Sequence, residues 1–366
     1  MGFSEFLGNE QIIKALRGML KREHVPSALL FVGPRGVGKY ALARMFAQAA
    51  NCEKAGDDFC GECESCKRIG LLADPAPLIE QGLGERGESA DAALVERMPL
   101  ILETDPDVWA IVPDPVRKRN PVARPMIRMG QLRAVQRAAF FRPQKRRRVF
   151  ILDGADTMRW NDADVFLKIL EEPPESATLI LLAQRADALL PTIRSRCLTF
   201  WFAPVPAETI EKFLEKRTEM KKAERTLAAQ LADGCPGVAL ELDLAESAKI
   251  RKEVLELVSQ AAEGKSYRAT FATSARLLKN ESESFENIVH LFYSLLSDLL
   301  EITRGPKNLV PRNPDLRREL ESLAGKVNDA WIAQATQHLD RLEGRLRRNV
   351  GRQLGLDALA VTLGVR

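Results

Sequence analysis

A glycine-rich loop between an apolar run and an amphipathic segment constrains the fold more than any other feature of the sequence. The octapeptide GPRGVGKY occupies residues 33–40 and follows the apolar run 27–33. Apolar residues then recur with helical spacing over 40–52. Strand, glycine loop and helix form the context in which backbone N–H groups and a lysine bind phosphate. A tight strand-to-helix turn without nucleotide is the alternative.

Two more apolar runs, 148–153 and 177–184, are typical of strands buried on both faces of a parallel sheet. The segment 161–174 between them carries apolar side chains on one helical face. Asn161 or Asp162 can cap its start, and a proline pair ends it. Strands that alternate with helices predict a layered α/β domain with a parallel sheet.

The strand pattern stops near residue 203, and helical periodicity continues to the end of the chain. We therefore predict an α/β domain over 1–203, a small helical domain over 204–246 and an all-helical domain over 247–366. The stretch 71–104 is polar, contains glycines and is weakly periodic. We interpret it as an insertion or mobile excursion.

Composition excludes several classes of protein. The chain of 366 residues contains no apolar run long enough to span a bilayer. Its first residues lack the layout of a secretory signal, so we expect a cytoplasmic location. The net charge of +4 permits contact with nucleic acid without requiring it. Six cysteines in a reducing compartment are expected to be metal ligands or core residues.

The glycine loop supplies part of a nucleotide site. Gly33, Gly36 and Gly38 suit a phosphate cradle, and Lys39 can reach the outer phosphates. A compact Ser or Thr hydroxyl normally follows the lysine and binds magnesium, but Tyr40 occupies that position. Nucleotide binding stays open at this stage, and efficient hydrolysis is not expected.

A second position supports the same expectation. The strand 148–153 ends in Asp153, which suits an aspartate that holds a magnesium-bound water. In ATPases of this design an acidic residue comes next and orients the attacking water, but this chain has Gly154. Asp156 lies beyond the strand end and is a weak substitute. The apparatus for hydrolysis is therefore incomplete at two points.

Four cysteines lie close together in the sequence. Cys52, Cys60, Cys63 and Cys66 give a C-x7-C-x2-C-x2-C spacing, which can close a tetrahedron of thiolates around zinc. A closed set of four thiolates makes a structural site. An iron–sulfur cluster and unligated thiols are the alternatives.

Arginines provide two further candidates. Arg196 follows Ser195 just before an apolar run, and its planar guanidinium suits phosphate. From the residues alone a surface arginine is the preferred interpretation. The basic runs 117–128 and 142–148 could meet DNA phosphates, but solvated lead-in segments are the preferred interpretation.

In this order the pieces resemble the clamp-loader subunits of bacterial DNA polymerase III, within the AAA+ class. The resemblance covers residues 1–240, and the helical remainder fits the family's collar domain by length and class. It implies an AAA+ domain with a zinc knob at 52–66, a helical lid over 204–246 and a collar over 247–366. The residues that carry it are the loop 33–39, the cysteine cluster, DGADTM (153–158), DVFLKILEEPPE (164–175) and LLPTIRSRC (189–197).

Within that family the chain resembles the stator type (delta prime) more than the motor type (gamma/tau). Motor subunits keep the magnesium hydroxyl, the acidic pair and an arginine in the lid. This chain has Tyr40, Gly154 and Gly237 at the matching positions, and it retains Arg196. The resemblance therefore implies that Arg196 serves the ATP site of a neighbouring subunit.

The expected function is a non-hydrolysing stator of the replication clamp loader, without ATPase activity of its own. Implied partners are the gamma/tau motor subunits and delta, with the sliding clamp and primer–template DNA in the assembled complex. Structural zinc is implied, and ATP binding at Lys39 stays open. The alternatives are an active motor ATPase and a zinc-bearing nucleic-acid adaptor.

Overall fold

A computed structural model describes residues 2–54, 56–117, 125–158, 163–264, 267–279, 285–305, 311–346 and 351–364. The described residues divide into two compact units. The first comprises Met1–Thr209 and Gly234–Val238, and the second comprises Ile210–Asp233 and Ala239–Arg366. The three-domain division at residues 203 and 246 stays a prediction.

Six strands within the described residues form one sheet in the first unit. Its order is β2-β3-β4-β5-β1-β6, and all neighbours are parallel except the β2–β3 pair. The predicted parallel α/β sheet is confirmed, with one antiparallel strand at its edge. The strands are β1 Ala28–Val32, β2 Leu102–Asp105, β3 Val108–Ile111, β4 Arg148–Leu152, β5 Ala177–Ala183 and β6 Leu198–Trp201.

Helices cover both faces of this sheet. Alternate residues of β1 enter different cores: Leu29 and Phe31 join one buried cluster, whereas Leu30 and Val32 join the other. Burial on both faces explains why the central strands are continuously apolar. The helices up to β6 are α1 Glu10–Lys21, α2 Lys39–Ala50, α3 Glu64–Gly70, α4 Ala76–Arg86, α5 Ala92–Arg97, α6 Met129–Ala139, α7 Ala163–Glu171 and α8 Pro191–Arg194.

The stretch 71–104, interpreted above as an insertion or mobile excursion, contains regular secondary structure, and its interpretation as an insertion stays a prediction. It contributes α4, α5 and the edge strand β2. A buried ion pair anchors it, because the Nη1 and Nη2 atoms of Arg86 each lie 2.8 Å from a carboxylate oxygen of Asp114. Arg86 also donates to the carbonyl oxygen of Met98. These long-range contacts leave no periodic signal in the local sequence.

The rest of the described chain is helical, as predicted. Asp243 caps α12 by accepting hydrogen bonds from the N–H groups of Ala245 and Glu246. The buried Arg251 on α12 forms a two-point ion pair with Asp315. The helices are α9 Ala207–Arg217, α10 Lys222–Leu231, α11 Pro236–Glu241, α12 Leu244–Ala262, α13 Tyr267–Lys279, α14 Phe285–Arg304, α15 Arg317–Ala324, α16 Asp329–Leu346 and α17 Arg352–Gly364.

Two further sequence predictions concern the start of α7 and membrane-spanning helices. The predicted caps Asn161 and Asp162 lie outside the described residues. The helix that they would cap, α7, is present and ends at Glu171 before the proline pair. Among the helices of the described chain, none has the length and apolar character needed to cross a bilayer.

Candidate functional site

The glycine loop joins β1 to α2, and two glycines determine its path. Gly36 has a φ of +76° and Gly38 a φ of +102°, in the left-handed region that favours glycine. Both positions are also crowded. A Cβ atom on Gly36 would lie 2.8 Å from the backbone nitrogen of Val238, and one on Gly38 would lie 2.8 Å from the Cζ atom of Phe6. Protein atoms therefore pack directly against the loop.

The ammonium group of Lys39 is bound by the loop itself. Its Nζ atom donates to the carbonyl oxygen of Gly33 at 2.6 Å and to that of Pro34 at 2.8 Å. The residue is 7% exposed. Burial lowers the pKa of Lys39, while attraction to Asp153 and Asp156 opposes that shift. Two of the three ammonium donors are thus used by backbone carbonyls.

Tyr40 stands where the phosphate-loop pattern has a Ser or Thr, and its ring is partly buried. Its ring packs against the core on one face of the sheet. The hydroxyl oxygen is buried and has no hydrogen-bond partner within the described residues. Burial, reinforced by the negative charge of Asp153, raises the pKa of Tyr40 above its ordinary value. The phenol is therefore neutral at physiological pH and is a poor ligand for magnesium.

The end of β4 is occupied by Asp153 and a glycine. Burial raises the pKa of Asp153, and attraction to Lys39 opposes that shift. Gly154 has φ +67° and ψ 39°, and a Cβ atom there would lie 2.8 Å from Cγ of Pro113. An acidic side chain at position 154 would be strained as well as crowded. Asp156 accepts a hydrogen bond from the backbone of Gln184 at the end of β5.

Gly237 lies directly on the glycine loop. Its N–H donates to the carbonyl oxygen of Gly36 at 2.8 Å. A Cβ atom on Gly237 would lie 3.0 Å from that oxygen and 3.1 Å from Cα of Gly36. A side chain here would require the loop backbone at Gly36 to shift by a few tenths of an ångström. Sequence reasoning identified the missing side chain but not the reason for its absence, because residues 36 and 237 meet only in the tertiary structure.

The four clustered cysteines converge in space. Their sulfur atoms all lie within 4.8 Å of one another, and the Sγ atoms of Cys60 and Cys66 are 4.0 Å apart. Tetrahedral zinc with Zn–S bonds of about 2.3 Å needs sulfurs ~3.8 Å apart. Cys52 follows α2 and Cys66 lies on α3, so both ends of the cluster are attached to packed helices. The group could therefore hold a metal ion.

Backbone N–H groups prepare the cluster for anionic sulfur. The Sγ atom of Cys60 accepts from the N–H of Cys63 at 3.3 Å and from that of Glu62 at 3.4 Å. These bonds lower the pKa of Cys60 to about 6. Burial raises the pKa of the Cys52 and Cys66 thiols. A bound cation would offset that burial by stabilising the thiolates.

Arg196 lies on the surface just after α8. Its Nη2 atom donates to Oε1 of Glu171 at 2.8 Å, and its Nη1 atom donates to the carbonyl oxygen of Thr192 at 2.9 Å. The side chain is 35% exposed. Cys197, the next residue, packs against the core, and burial raises the pKa of its thiol to about 12. Sequence reasoning did not assign Glu171, since nothing local links residues 171 and 196.

The basic run 142–148 divides its roles between packing and exposure. Arg147 and Arg148 donate to backbone carbonyl oxygens and so stabilise the start of β4. Arg142 and Arg146 are exposed. Of the run 117–128, residues 118–124 lie outside the described part of the chain.

A parallel sheet with a glycine loop at the turn between a strand and a helix defines an α/β protein of the phosphate-loop type. Residues 8–206 match the family described as DNA polymerase III, delta subunit. The match covers more than half of the 366-residue chain, and the chain belongs to this family. The clamp-loader family predicted from the motifs is confirmed.

Curated relatives come from the same group of proteins. The chain is 27% identical over 318 residues to DNA polymerase III subunit tau of Bacillus subtilis, covering 84% of this chain and 48% of that protein. It is 26% identical over 249 residues to subunit delta' of the same organism, covering 68% and 63%. It is 31% identical over 221 residues to subunit gamma/tau of Mycobacterium tuberculosis, covering 60% and 32%. The chain thus spans less than two thirds of each of these relatives.

Proposed function

We propose that this chain is a non-hydrolysing stator subunit of a DNA polymerase III clamp loader. The observation that carries the proposal is the close packing of protein atoms against the glycine loop. The three positions at which motor subunits place catalytic groups hold Tyr40, Gly154 and Gly237, and each is built into the surrounding packing. The chain therefore lacks the groups for hydrolysis, and a side chain added at position 154 or 237 would crowd neighbouring atoms.

The packing around the loop argues against nucleotide binding as well as against hydrolysis. A triphosphate in the loop would have to compete for the ammonium group of Lys39, because two of its three donors are bound to the carbonyl oxygens of Gly33 and Pro34. It would also need space beside Gly36, where Gly237 and Val238 lie. A restored magnesium ligand at position 40 would correct only one of these defects.

Arg196 supports an activity that is exerted on another molecule. In contrast to Lys39, it is accessible from solvent and lies on a surface turn anchored by the buried Ile193. An exposed guanidinium on a rigid turn can stabilise charge that develops on a phosphoryl group bound by a neighbouring subunit. The motor subunits gamma/tau are the proposed neighbours, and delta, the sliding clamp and primer–template DNA are further proposed partners in a cytoplasmic complex.

The test measures ATP hydrolysis by the isolated chain and by a clamp loader reconstituted with motor subunits. We expect no turnover by the isolated chain. Replacing the wild type by Arg196→Ala should lower turnover at the adjacent ATP site by about 10³-fold, because an arginine supplied in trans contributes about that factor in related phosphoryl transfers. Glu172→Ala, a change at an exposed residue nearby, is the control. Turnover by the isolated chain, or an unchanged complex with Arg196→Ala, would contradict the proposal.

A motor ATPase is the second candidate, and one observation favours it. The similarity to tau of Bacillus subtilis extends over 84% of the chain, more than the similarity to delta'. The isolated-chain assay separates the two candidates directly, because a motor subunit hydrolyses ATP with its own loop. Calorimetric titration with ATP and magnesium separates weak binding from none.

We further propose that the cysteine cluster binds structural zinc. Bound zinc would cross-link Cys52 at the end of α2 to Cys66 on α3 through four thiolates, with no position open for substrate. One zinc ion per chain is the expected result of elemental analysis after purification without chelator. Cys60→Ser should lower the zinc content and the melting temperature, whereas Cys197→Ser should leave the zinc content unchanged. Iron in place of zinc would support the iron–sulfur alternative.

A further inference from the structure

Arg196 is not a free side chain on the surface, since two acceptors hold its guanidinium. The carboxylate of Glu171 accepts from Nη2 at 2.8 Å, and the carbonyl oxygen of Thr192 accepts from Nη1 at 2.9 Å. An arginine has five N–H donors, so three remain available beyond these two bonds. The group is therefore oriented and still able to bind a further anion.

The two acceptors are attached to rigid parts of the fold. Glu171 is the last residue of α7, whose side chains Phe166 and Ile169 are fully buried beneath it. Thr192 lies in α8 beside Ile193, which is 1% exposed. Both elements pack into the same buried cluster against the sheet. The core therefore fixes the backbone of both acceptors, and the half-exposed side chain of Glu171 reaches Arg196 from that fixed point.

We propose that Glu171 is a positioning residue that holds Arg196 in the orientation needed to reach a phosphate group on a neighbouring subunit. This inference rests on the proposed stator function. An unrestrained arginine loses rotamer freedom when it binds, and the prior hydrogen bonds reduce that loss. Misplacement of a charged group by about 1 Å can lower a rate substantially, so orientation contributes to turnover as well as charge.

The opposite effect is the main competing hypothesis. Glu171 could instead sequester Arg196 by offering a nearer negative charge than the phosphate. The two hypotheses predict opposite changes when the carboxylate is removed: positioning predicts slower turnover, and sequestration predicts faster turnover. The free donors favour positioning, because Arg196 can bind a phosphate while it keeps both existing bonds.

The experiment uses the reconstituted clamp loader with wild type, Glu171→Ala, Glu171→Gln, Arg196→Ala and the double variant Glu171→Ala/Arg196→Ala. The quantity compared is Arg196-dependent turnover, which is the turnover lost in Arg196→Ala. Glu171→Ala should lower the kcat of this Arg196-dependent ATP hydrolysis about two- to fivefold, the range expected for one exposed ion pair. The KM for ATP, complex assembly and the melting temperature of the free chain should stay unchanged, and Glu171→Gln, which keeps an acceptor oxygen, should be intermediate.

The double variant distinguishes a positioning role from an independent one. If Glu171 acts through Arg196, its removal has no further effect once Arg196 is gone. Unchanged or faster turnover in Glu171→Ala, or a further loss in the double variant, would overturn the inference while leaving the stator proposal intact. An Arg196→Ala complex as active as the wild type would instead overturn the stator proposal itself. Glu172→Ala, a change at the adjacent exposed carboxylate, should match the wild type.

Discussion

Lys39 and Arg196 are the two cations that the sequence motifs suggest for phosphate recognition, and the structure places them in opposite surroundings. Lys39 is buried, and carbonyl oxygens of its own loop accept two of its donors. Arg196 is partly exposed, and three of its five N–H donors remain beyond its bonds to Glu171 and Thr192. A motif thus indicates which chemistry a residue type permits, whereas the hydrogen-bond partners and exposure of that residue decide whether the chemistry is available to a ligand.

Adding a side chain to the contact between Gly237 and the loop should have the largest effect. Gly237→Arg should lower the free energy of unfolding by about 3 kcal/mol, because the new side chain would meet the backbone of Gly36 at its first carbon. Gly344→Arg is the matched control, since a Cβ atom at Gly344 meets nothing within 4 Å. Urea unfolding measures both. Equal stability of the two variants would show that the loop is more open than the structure indicates.

Replacing Lys39 and Arg196 in turn tests whether the buried cation stabilises the fold more than the exposed one. Lys39→Ala should lower the free energy of unfolding by about 2 kcal/mol, because the carbonyl oxygens of Gly33 and Pro34 would lose a charged donor. Arg196→Ala should change it by less than about 0.5 kcal/mol, because its ion pair is exposed to solvent. Urea unfolding of both variants gives the two values. The comparison would fail if Arg196→Ala were the more destabilising change.

Restoring an acidic residue after Asp153 should not restore catalysis. Gly154→Glu should lower the free energy of unfolding by about 1–2 kcal/mol, because a residue with a Cβ is strained at φ +67° and would crowd Pro113. Gly154→Ala gives the part of this cost that is due to the backbone and the first carbon. The isolated variants should remain inactive in an ATP hydrolysis assay. Measurable turnover by Gly154→Glu would contradict the proposal that this chain does not hydrolyse ATP.

The smallest expected effect is a pH dependence at Asp153. Burial raises its pKa above the unfolded value of 3.8, so the folded state binds a proton more tightly than the unfolded state. Its contribution to stability is thus fully present below pH 3.8 and is lost as pH rises through the folded pKa. The stability of the wild type relative to Asp153→Asn should therefore fall between acidic and neutral pH. Urea unfolding at several pH values measures this difference, and a gap that does not change with pH would contradict it.

Sequence patterns predicted the central strands and the helices that follow them because their signals are local. Each central strand is a continuous apolar run, and each long helix shows apolar residues at helical spacing. The same patterns did not predict the elements within 71–104. The Arg86–Asp114 ion pair and the antiparallel pairing of β2 with β3 depend on contacts that local periodicity does not report. Polar residues that find a partner in the fold look like loop residues in the sequence.

The sequence by itself determined the order of strands and helices, the spacing of the four cysteines and the residue types at positions 40, 154 and 237. Only the tertiary structure decided that Gly237 packs on Gly36, that Lys39 is bound by its own loop and that Glu171 holds Arg196. The physical reason is that residue type and spacing act over a few neighbours along the chain, whereas steric contact and hydrogen bonding depend on which distant segments folding brings within a few ångströms.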